Sequence, residues 1–304
     1  MLAILLFVMV ILVLMLGYPV AFTLSGVSIL FALICSLTNN FDLSILYALP
    51  SRIFGIITNE TLVAIPMFIF MGIMLEKSKI AEKLLDSMAA LFKNIKGGLG
   101  ISVIIVGALL AASTGIVGAT VVTMGLLSLP IMMKQKYDTK IATGTILASG
   151  TLGQIIPPSI ILILLGDVIS SSYQEAQNML GIFSQESVSV GDLFAGAIFP
   201  GLILVSFYII YILYIANFKP DLIPEKKFEK KFNLKEIILS LYSPLFLILI
   251  VLGSIILGVA TPTEASSFGA IGSALLAFIN KNFNKGILKE VLIKTSKITS
   301  MIFI

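Results

Sequence analysis

The chain has 304 residues, of which 58% are apolar and only 12% are charged, and its mean hydropathy is +1.09. About a quarter of a typical soluble domain is charged, so this composition excludes a soluble globular protein and indicates a polytopic α-helical membrane protein. The net charge of +4 comes from lysines dispersed between apolar segments, which argues against a nucleic-acid-binding patch. With no His and one Cys, the chain has no disulfide, no His/Cys metal site and no His-based catalysis.

The N-terminal region predicts two membrane helices and a surface helix. Residues 2–16 are apolar and lack a basic segment and a small-residue cleavage site, so we interpret them as a transmembrane helix and not as a signal peptide. A Gly-Tyr-Pro sequence at 17–19 interrupts the pattern, and 19–38 predicts the second helix. Residues 42–58 are less hydrophobic and predict an interfacial helix.

A third span and an amphipathic helix follow. Residues 61–75 predict the span, and 79–96 predict a helix that lies at the membrane interface. Its apolar face comprises residues that recur at helical spacing: Ile80, Leu84, Leu85, Met88 and Phe92.

Residues 97–133 contain no charge, and lysine-rich segments flank them on both sides. A membrane crossing needs about 20 apolar residues, so these 37 residues are too many for one span and too few for two. Lysine-rich loops stay cytoplasmic, so both ends lie on the same side. We therefore predict a re-entrant hairpin whose tip, at 113–115, lies near the membrane midplane. Such backbone is tolerated only inside protein or beside a wet cavity, which indicates a transporter.

The next span, 139–166, is predicted to be broken. Its middle carries glycines and the pair Pro157-Pro158, which do not sustain a helix. Because proline has no N–H, the carbonyls of Gly153 and Gln154 lose their helical donors. A bound cation is one candidate partner for them.

Charge then predicts the remaining topology. The loop 167–192 holds four acidic residues and no Lys or Arg, so we place it outside, and 193–217 crosses back. The linker 218–236 carries six lysines and is predicted to be cytoplasmic, which puts the N-terminus outside. The last segments are an outward span at 240–258, an inward span at 262–280 and a lysine-rich stretch at 281–297.

The two ends of the chain share a pattern. Pro19 opens a helix with Gly26 seven residues later, and Pro262 opens another with Gly269 at the same spacing. Their predicted directions are opposite, as in the inverted repeats of secondary transporters. Two unrelated helices that start with proline are an equally good interpretation. If the repeat is real, the second hairpin and second broken helix would lie beyond Ile304, and we expect the chain to be truncated at its C-terminal end.

Several motifs, in order and over essentially the whole chain, resemble the large membrane subunit (DctM-like) of tripartite ATP-independent periplasmic (TRAP) transporters. The segments that carry the resemblance are 113–125, 137–138, 142–144, 149–159, 166–167 and 260–265. Ile116 and Val117 stand where sialic-acid-type members have serines, which argues against hydroxyl ligation there. They resemble a branch often labelled for mannitol or chloroaromatic compounds. The loop 173–187 looks longer than usual in the family.

The resemblance implies an inverted-repeat elevator-type transporter of the ion transporter superfamily, in the bacterial inner membrane and without enzymatic activity. It implies Na⁺ as the coupling ion, no other cofactor, and import of a small organic acid, for example a C4-dicarboxylate. The implied partners are a small membrane subunit and a periplasmic substrate-binding protein. The implied division is scaffold helices at 1–58, the first transport-domain half at 59–166, the outer loop, crossing helix and linker at 167–236, and the start of the second repeat at 237–304.

Na⁺ is a hard cation that takes oxygen ligands, and unwound backbone supplies them without a buried carboxylate. The predicted cation-binding residues, acting largely through carbonyls, are Ser113, Gly115, Gly118, Gly150, Thr151 and Gly153. The predicted substrate-facing residues are Thr114, Thr120, Gln154 and Ser159. Free N–H groups at the start of the helix that begins at Gly118 would suit a carboxylate. Close helix packing is the alternative role of the glycines.

Other functions remain open at this point. A stand-alone ion-coupled carboxylate transporter would take up substrate without a binding protein. An inactive truncated remnant, without its second repeat, would not close around Na⁺ and substrate by itself. An intramembrane enzyme is disfavoured, because the chain has no His and no paired intramembrane acids.

Overall fold

The computed structural model describes residues 2–184, 186–223 and 234–303, and the side chains of 234–241 are outside this description. Within these ranges the regular structure is helical, with thirteen α-helices, four short 3-10 helices and no strand. The predicted all-helical fold is therefore confirmed for the described residues. Most of the predicted cytoplasmic linker, including Lys226, Lys227, Lys230 and Lys231, lies outside the described residues.

The chain forms two compact units, Met1–Asn59 with Ser300–Ile304, and Glu60–Thr299. In the first unit, two apolar helices pack against each other and two shorter helices follow. These are α1 (Leu2–Leu14), α2 (Val20–Leu37), a 3-10 helix (Leu43–Ala48) and α3 (Leu49–Ile57). The predicted helices of this region are confirmed to within two residues. The assignment of 1–58 to a scaffold stays a prediction.

The second unit contains the predicted hairpin and broken helix. Its α-helices are α4 (Ala64–Lys77), α5 (Ile80–Leu91), α6 (Gly98–Thr114), α7 (Val117–Lys134), α8 (Thr139–Thr151), α9 (Ile160–Met179), α10 (Val190–Phe218), α11 (Leu234–Ile256), α12 (Pro262–Ile279) and α13 (Lys285–Phe303, to Thr299 in this unit). Its 3-10 helices are Thr61–Val63, Leu152–Gln154 and Pro220–Leu222. Helix α6 is central, since it packs against α4, α5, α7, α8 and α10, while α4 packs along α12.

Capping boxes set the starts of two long helices. The Ser189 hydroxyl accepts from the backbone N–H of Asp192 (3.1 Å), and the Asp192 carboxylate accepts from the Ser189 N–H (2.9 Å). Thr261 and Glu264 repeat this exchange at the start of α12 (3.3 and 2.8 Å). Each box satisfies two backbone donors that a helix start leaves free.

The amphipathic helix α5 buries its apolar face inside the protein. The predicted face residues Ile80, Leu84, Leu85 and Met88 are each at most 5% exposed, and α5 packs against α6 and α11. The predicted periodicity is confirmed for these four residues, and this face contacts neighbouring helices instead of being left free for lipid. The helix ends at Leu91, before the predicted 96, so Phe92 is its C-cap. Whether α5 lies at the membrane interface stays a prediction.

The prediction that the broken helix ends at 166 and that 167–192 is a loop is wrong. Helix α9 continues to Met179 and α10 already begins at Val190. Apart from Gln177, the polar residues from 167 to 178 are exposed or half-buried on a regular helix, so their polarity did not mark a loop. The buried Gln177 side chain then fixes the turn, because its amide donates to the Glu186 carbonyl (2.8 Å) and accepts from the Glu186 N–H (2.9 Å). The predicted boundary at 166/167 therefore falls inside one helix, and α11 starts at Leu234, before the predicted 240.

Among the described residues, three helices are long and apolar enough to cross a membrane: Val20–Leu37, Val117–Lys134 and Val190–Phe218. The pair Leu43–Ile57 and Thr61–Lys77 raises the number to four if it counts as one span. Shorter apolar helices accompany them, including Gly98–Thr114. Because Val117–Lys134 could by length cross the membrane alone, the re-entrant path of the hairpin stays a prediction.

Candidate cation and substrate site

The hairpin turns at the predicted position. Helix α6 ends at Thr114, and Gly115 adopts a left-handed conformation with φ +60°, which glycine reaches without a steric penalty. Ile116 is extended (φ −126°, ψ 108°), and α7 begins at Val117. The sequence placed this helix start at Gly118, one residue too late.

The break between α8 and α9 is also where the sequence placed it. A 3-10 turn at Leu152–Gln154 follows α8, Pro157-Pro158 is joined by a cis peptide bond, and α9 starts after the extended residue Ser159. The helical ladder is interrupted here because neither proline has an N–H to donate.

The sequence predicts that the carbonyls of Gly153 and Gln154 lose their helical donors, and in the structure the Gln154 carbonyl accepts a hydrogen bond from a side chain instead. The Ser159 hydroxyl donates to the Gln154 carbonyl (2.9 Å) and accepts, at 3.4 Å, from the backbone N–H of Leu162 in the first turn of α9. A carbonyl has two lone pairs, so the Gln154 oxygen keeps one for a further partner. Ser159 is fully buried, and its role in this structure is to join the two edges of the break.

The hairpin tip and the break touch each other. A Cβ added at Gly115 would lie 3.3 Å from the Ile160 side chain and 3.5 Å from the Pro158 carbonyl oxygen. One added at Gly153 would lie 3.3 Å from the Ala111 carbonyl oxygen. Both glycines therefore allow close backbone approach. We call this contact region, residues 111–120 with 150–160, the junction.

Two threonines link the arms of the hairpin. The hydroxyl oxygens of Thr114 and Thr120 are 2.6 Å apart, and the Thr120 hydroxyl donates to the Ile116 carbonyl (3.0 Å). Since a hydroxyl has one proton, Thr114 is the donor to Thr120. Both side chains are at most 5% exposed. In this arrangement they bond to each other within the hairpin and do not face an open cavity.

Helix α4 packs closely against the hairpin tip at Gly72, a residue that the sequence did not indicate. A Cβ on Gly72 would lie 2.5 Å from Thr114 Cα and 2.8 Å from the Ser113 carbonyl oxygen. Ser113 itself is buried and donates its hydroxyl to the Leu110 carbonyl (2.8 Å). The only sequence signal for Gly72 is one small residue in an otherwise bulky helix, which is too common a pattern to indicate a site.

The remaining predicted residues divide into packed and exposed positions. Gly150 is buried and meets Val121, whose Cγ2 would lie within van der Waals overlap of an added Cβ, so it serves close packing of α7 and α8. Gly118 has nothing within 4 Å of an added Cβ and is exposed. Thr151 and Gln154 are also exposed. The structure thus brings together Ser113, Thr114, Gly115, Thr120, Gly150, Gly153 and Ser159.

The junction offers oxygen atoms and helix ends but no charge. In the described part of the chain, no group of three or more Asp, Glu, Cys or His side chains is placed to hold a metal ion. The C-terminal ends of α6 and α8 meet the N-terminal ends of α7 and α9. Helix C-termini carry partial negative charge and N-termini partial positive charge. The arrangement can therefore accommodate a cation at carbonyl oxygens and an anion at free N–H groups.

Comparison with known proteins gives a consistent result. Residues 7–304 match the family described as the DctM component of tripartite ATP-independent periplasmic transporters. The chain is 32% identical over 295 residues to the C4-dicarboxylate TRAP transporter large permease protein DctM of Vibrio cholerae, covering 95% of this chain and 60% of that protein.

Two further relatives carry different substrate names. The ectoine TRAP transporter large permease protein TeaC of Halomonas elongata is 29% identical, over 96% of this chain and 63% of its own length. The sialic acid permease SiaM of Vibrio cholerae is 28% identical, over 88% of this chain and 56% of its own length. The chain spans about three fifths of the length of these relatives.

Proposed function

The chain belongs to the DctM family of tripartite ATP-independent periplasmic transporters, and from this premise we propose that it is the large permease subunit of a Na⁺-coupled importer of a small organic acid. Family members are transport proteins and not enzymes, and this one is a multi-pass protein of the bacterial inner membrane. The resemblance found in the sequence is thus confirmed.

The Na⁺ proposal rests on the contact between the hairpin tip (between α6 and α7) and the helix break (between α8 and α9) at the junction. Two helix C-termini and several backbone carbonyls meet where no carboxylate is present, and this suits a monovalent hard cation. We assign Ser113, Gly115, Gly150 and Gly153 to this cation site or its immediate support. Gly118 and Thr151, which are exposed, would contribute only if the remainder of the site covered them.

The substrate proposal uses the opposite ends of the same helices. The starts of α7 and α9 direct backbone N–H groups to the junction, which favours a carboxylate. Gln154 is exposed beside them and is the predicted substrate residue best placed to reach a ligand. Thr114, Thr120 and Ser159 orient the tip and the break through their hydrogen bonds.

The elevator mechanism and the inverted repeat are further parts of this proposal. A proline stands at the start of both helices, as the N-cap Pro19 of α2 and as the first residue Pro262 of α12, and a glycine follows each proline seven residues later. This shared pattern supports the proposed repeat. The hairpin and the broken helix would move together, because the Gly115 and Gly153 contacts hold them as one packed body.

The partners follow from the three-component organisation in the family's description. We propose a small membrane subunit and a periplasmic binding protein that delivers the substrate. The relatives are named for C4-dicarboxylate, ectoine and sialic acid, and we propose that the binding protein selects among such small solutes.

The test is uptake into proteoliposomes that contain the protein with its small subunit. Radiolabelled succinate, ectoine and sialic acid are each offered with the cognate binding protein, with an inward Na⁺ gradient or an equal K⁺ gradient. The proposal expects uptake of one solute that needs both Na⁺ and the binding protein. Uptake without the binding protein would favour a stand-alone transporter, and uptake driven equally by K⁺ would contradict Na⁺ coupling.

A further inference from the structure

A crevice separate from the junction opens between α6, α8 and α10. Its volume is about 400 Å³, within the range of about 300–1,000 Å³ usual for small-molecule sites. Its apolar wall includes Ile104, Ile141 and Ile212, and exposed apolar surface outweighs polar surface in it. Lipid acyl chains are apolar, so they suit an apolar crevice of this kind on a membrane protein.

The crevice starts at the lysine-rich end of these helices. The Asp138 N–H, just before α8, donates to the Leu222 carbonyl, just after α10, at 2.9 Å, so the two helix ends lie at the same level. Lys140, in the first turn of α8, is one of the lining residues. From Lys140 to Ala148, the first and last lining residues along α8, eight residues at about 1.5 Å each span about 12 Å. This length fits a lipid headgroup followed by the upper part of an acyl chain.

Gly144 in the wall of the crevice has no side chain to fill the space beside it. Gly144 lies midway along the α8 lining, is exposed, and has nothing within 4 Å of an added Cβ. Glycine in a helix interior costs about 0.5–1 kcal/mol relative to alanine, and here no close backbone approach and no positive φ accounts for it. The space that the absent side chain leaves belongs to the crevice.

Two tyrosines also line the crevice. Tyr208 and Tyr211 of α10 line the crevice opposite α8, and Tyr211 is 55% exposed. Tyrosine is enriched at the membrane interface, where its ring is apolar and its hydroxyl stays hydrated. A tyrosine hydroxyl and a lysine ammonium are both hydrogen-bond donors, so each of these lining groups suits a phosphate oxygen.

We propose that this crevice binds one anionic phospholipid, with its phosphate at Lys140 and an acyl chain along Ile141, Gly144 and Ile104. Anionic headgroups are favoured because Lys140 is the charged residue of the lining, and its charge is positive. The attraction of one lysine to an anionic lipid surface corresponds to about a fivefold preference. This site is independent of Na⁺ coupling and of the transported solute.

The test is native mass spectrometry of the detergent-released protein, equilibrated with equal amounts of phosphatidylglycerol and phosphatidylcholine of identical chains. We expect one phosphatidylglycerol to be retained, at about fivefold over phosphatidylcholine. Lys140→Gln should abolish this preference, and Lys140→Arg should keep it. Gly144→Leu should lower retention of both lipids, because the leucine fills the slot.

Matched controls separate the crevice from general attraction. Lys93→Gln removes an exposed lysine that does not line the crevice, and Gly196→Leu fills an open helical position on α10 away from it. Both should leave retention unchanged. Equal losses in Lys140→Gln and Lys93→Gln, or full retention in Gly144→Leu, would overturn the proposal.

A second measurement uses the unaltered chain and does not depend on the variants folding. A phosphatidylglycerol with a photoreactive acyl chain should label peptides that contain 141–148 or 208–212. Labelling spread evenly over the exposed apolar helices, with no enrichment there, would also overturn the proposal.

Discussion

The two arms of the hairpin have similar composition and opposite surroundings. Helices α6 and α7 have 17 and 18 residues and both are apolar, yet 14 residues of α6 are buried and only four of α7 are. The four buried residues of α7 recur every fourth position: Thr120, Met124, Ser128 and Met132. Hydropathy does not distinguish a helix buried in protein from one exposed to lipid, because both environments are apolar. What distinguishes the arms is where small residues meet a neighbour.

The glycines show this most clearly. An added Cβ at Gly107 of α6 would lie 2.5 Å from the Ser149 Cβ, whereas one at Gly125 of α7 would meet nothing within 4 Å. In α6, glycine permits helix contact, and in α7 it faces the surroundings of the chain.

The largest predicted effect follows from this pair. Gly107→Leu should destabilise the protein by about 3 kcal/mol, since overpacking a tight contact forces backbone shifts. Gly125→Leu should change the stability by less than about 1 kcal/mol, and in the stabilising direction, because leucine is the better helix former. The measurement is the midpoint of thermal unfolding, followed by size-exclusion chromatography of a fluorescent fusion. Equal losses in the two variants would show that the arms do not differ as described.

The next effect concerns the hydroxyl link between the arms. Thr120→Val removes the acceptor of the Thr114 hydroxyl in a buried setting, which should cost about 1–3 kcal/mol. Thr143→Val is the control, because that hydroxyl bonds only to the preceding turn of its own helix. If Thr120→Val were as stable as the control, the link would not hold the arms together.

Ser128 lies on the same buried stripe of α7 and should respond in the opposite direction. Its hydroxyl is buried and has no hydrogen-bond partner among the described residues. Removal of an unsatisfied buried hydroxyl should stabilise by about 1 kcal/mol, so Ser128→Ala should raise the unfolding midpoint while Thr120→Val lowers it. A lower midpoint in Ser128→Ala would contradict an unsatisfied hydroxyl at this position.

The smallest predicted change in stability concerns an ion pair at the C-terminal end of α4, the helix that packs against the hairpin tip. Lys77 Nζ and Glu290 Oε1 are 2.5 Å apart, and this contact holds the pKa of Glu290 below its usual value of 4.5. A lowered folded-state pKa gives stability that is present above the unfolded-state pKa and lost as pH falls through the folded-state pKa. The unfolding midpoint of Glu290→Gln should therefore be slightly below that of the unaltered chain at pH 7.

At pH values below the lowered pKa of Glu290, the two midpoints should coincide. Glu82→Gln on the neighbouring α5 is the control, because it removes an acidic side chain that takes no part in the Lys77–Glu290 contact. A difference between Glu290→Gln and the unaltered chain that persisted into strong acid would contradict the assignment.

The sequence predicted where helices turn or break better than it predicted which helices contact each other. The hairpin turn and the helix break were found because Gly115 and Pro157-Pro158 act locally, through left-handed backbone and missing donors. The length of α9 was missed because exposed polar residues were interpreted as a loop. The support of the tip by Gly72 could not be predicted, since it depends on the approach of α4 from 40 residues away in the chain.

The candidate site shows the same limit. The sequence identified small and hydroxyl residues at the tip and the break, but not which of them are bonded to each other. Thr114 and Thr120 bond across the turn, and Gly150 accommodates Val121. Such pairings arise from tertiary packing, which residue type and spacing alone do not specify.

The central claim is that the hairpin tip and the helix break form one cation-binding junction. Hydrogen–deuterium exchange of the purified protein in NaCl and in choline chloride tests it most directly. The account predicts that Na⁺ slows exchange in both 111–120 and 150–160 and leaves α12 unchanged. Protection that is absent from both segments, or that is equal throughout the chain, would contradict a Na⁺ site at the junction.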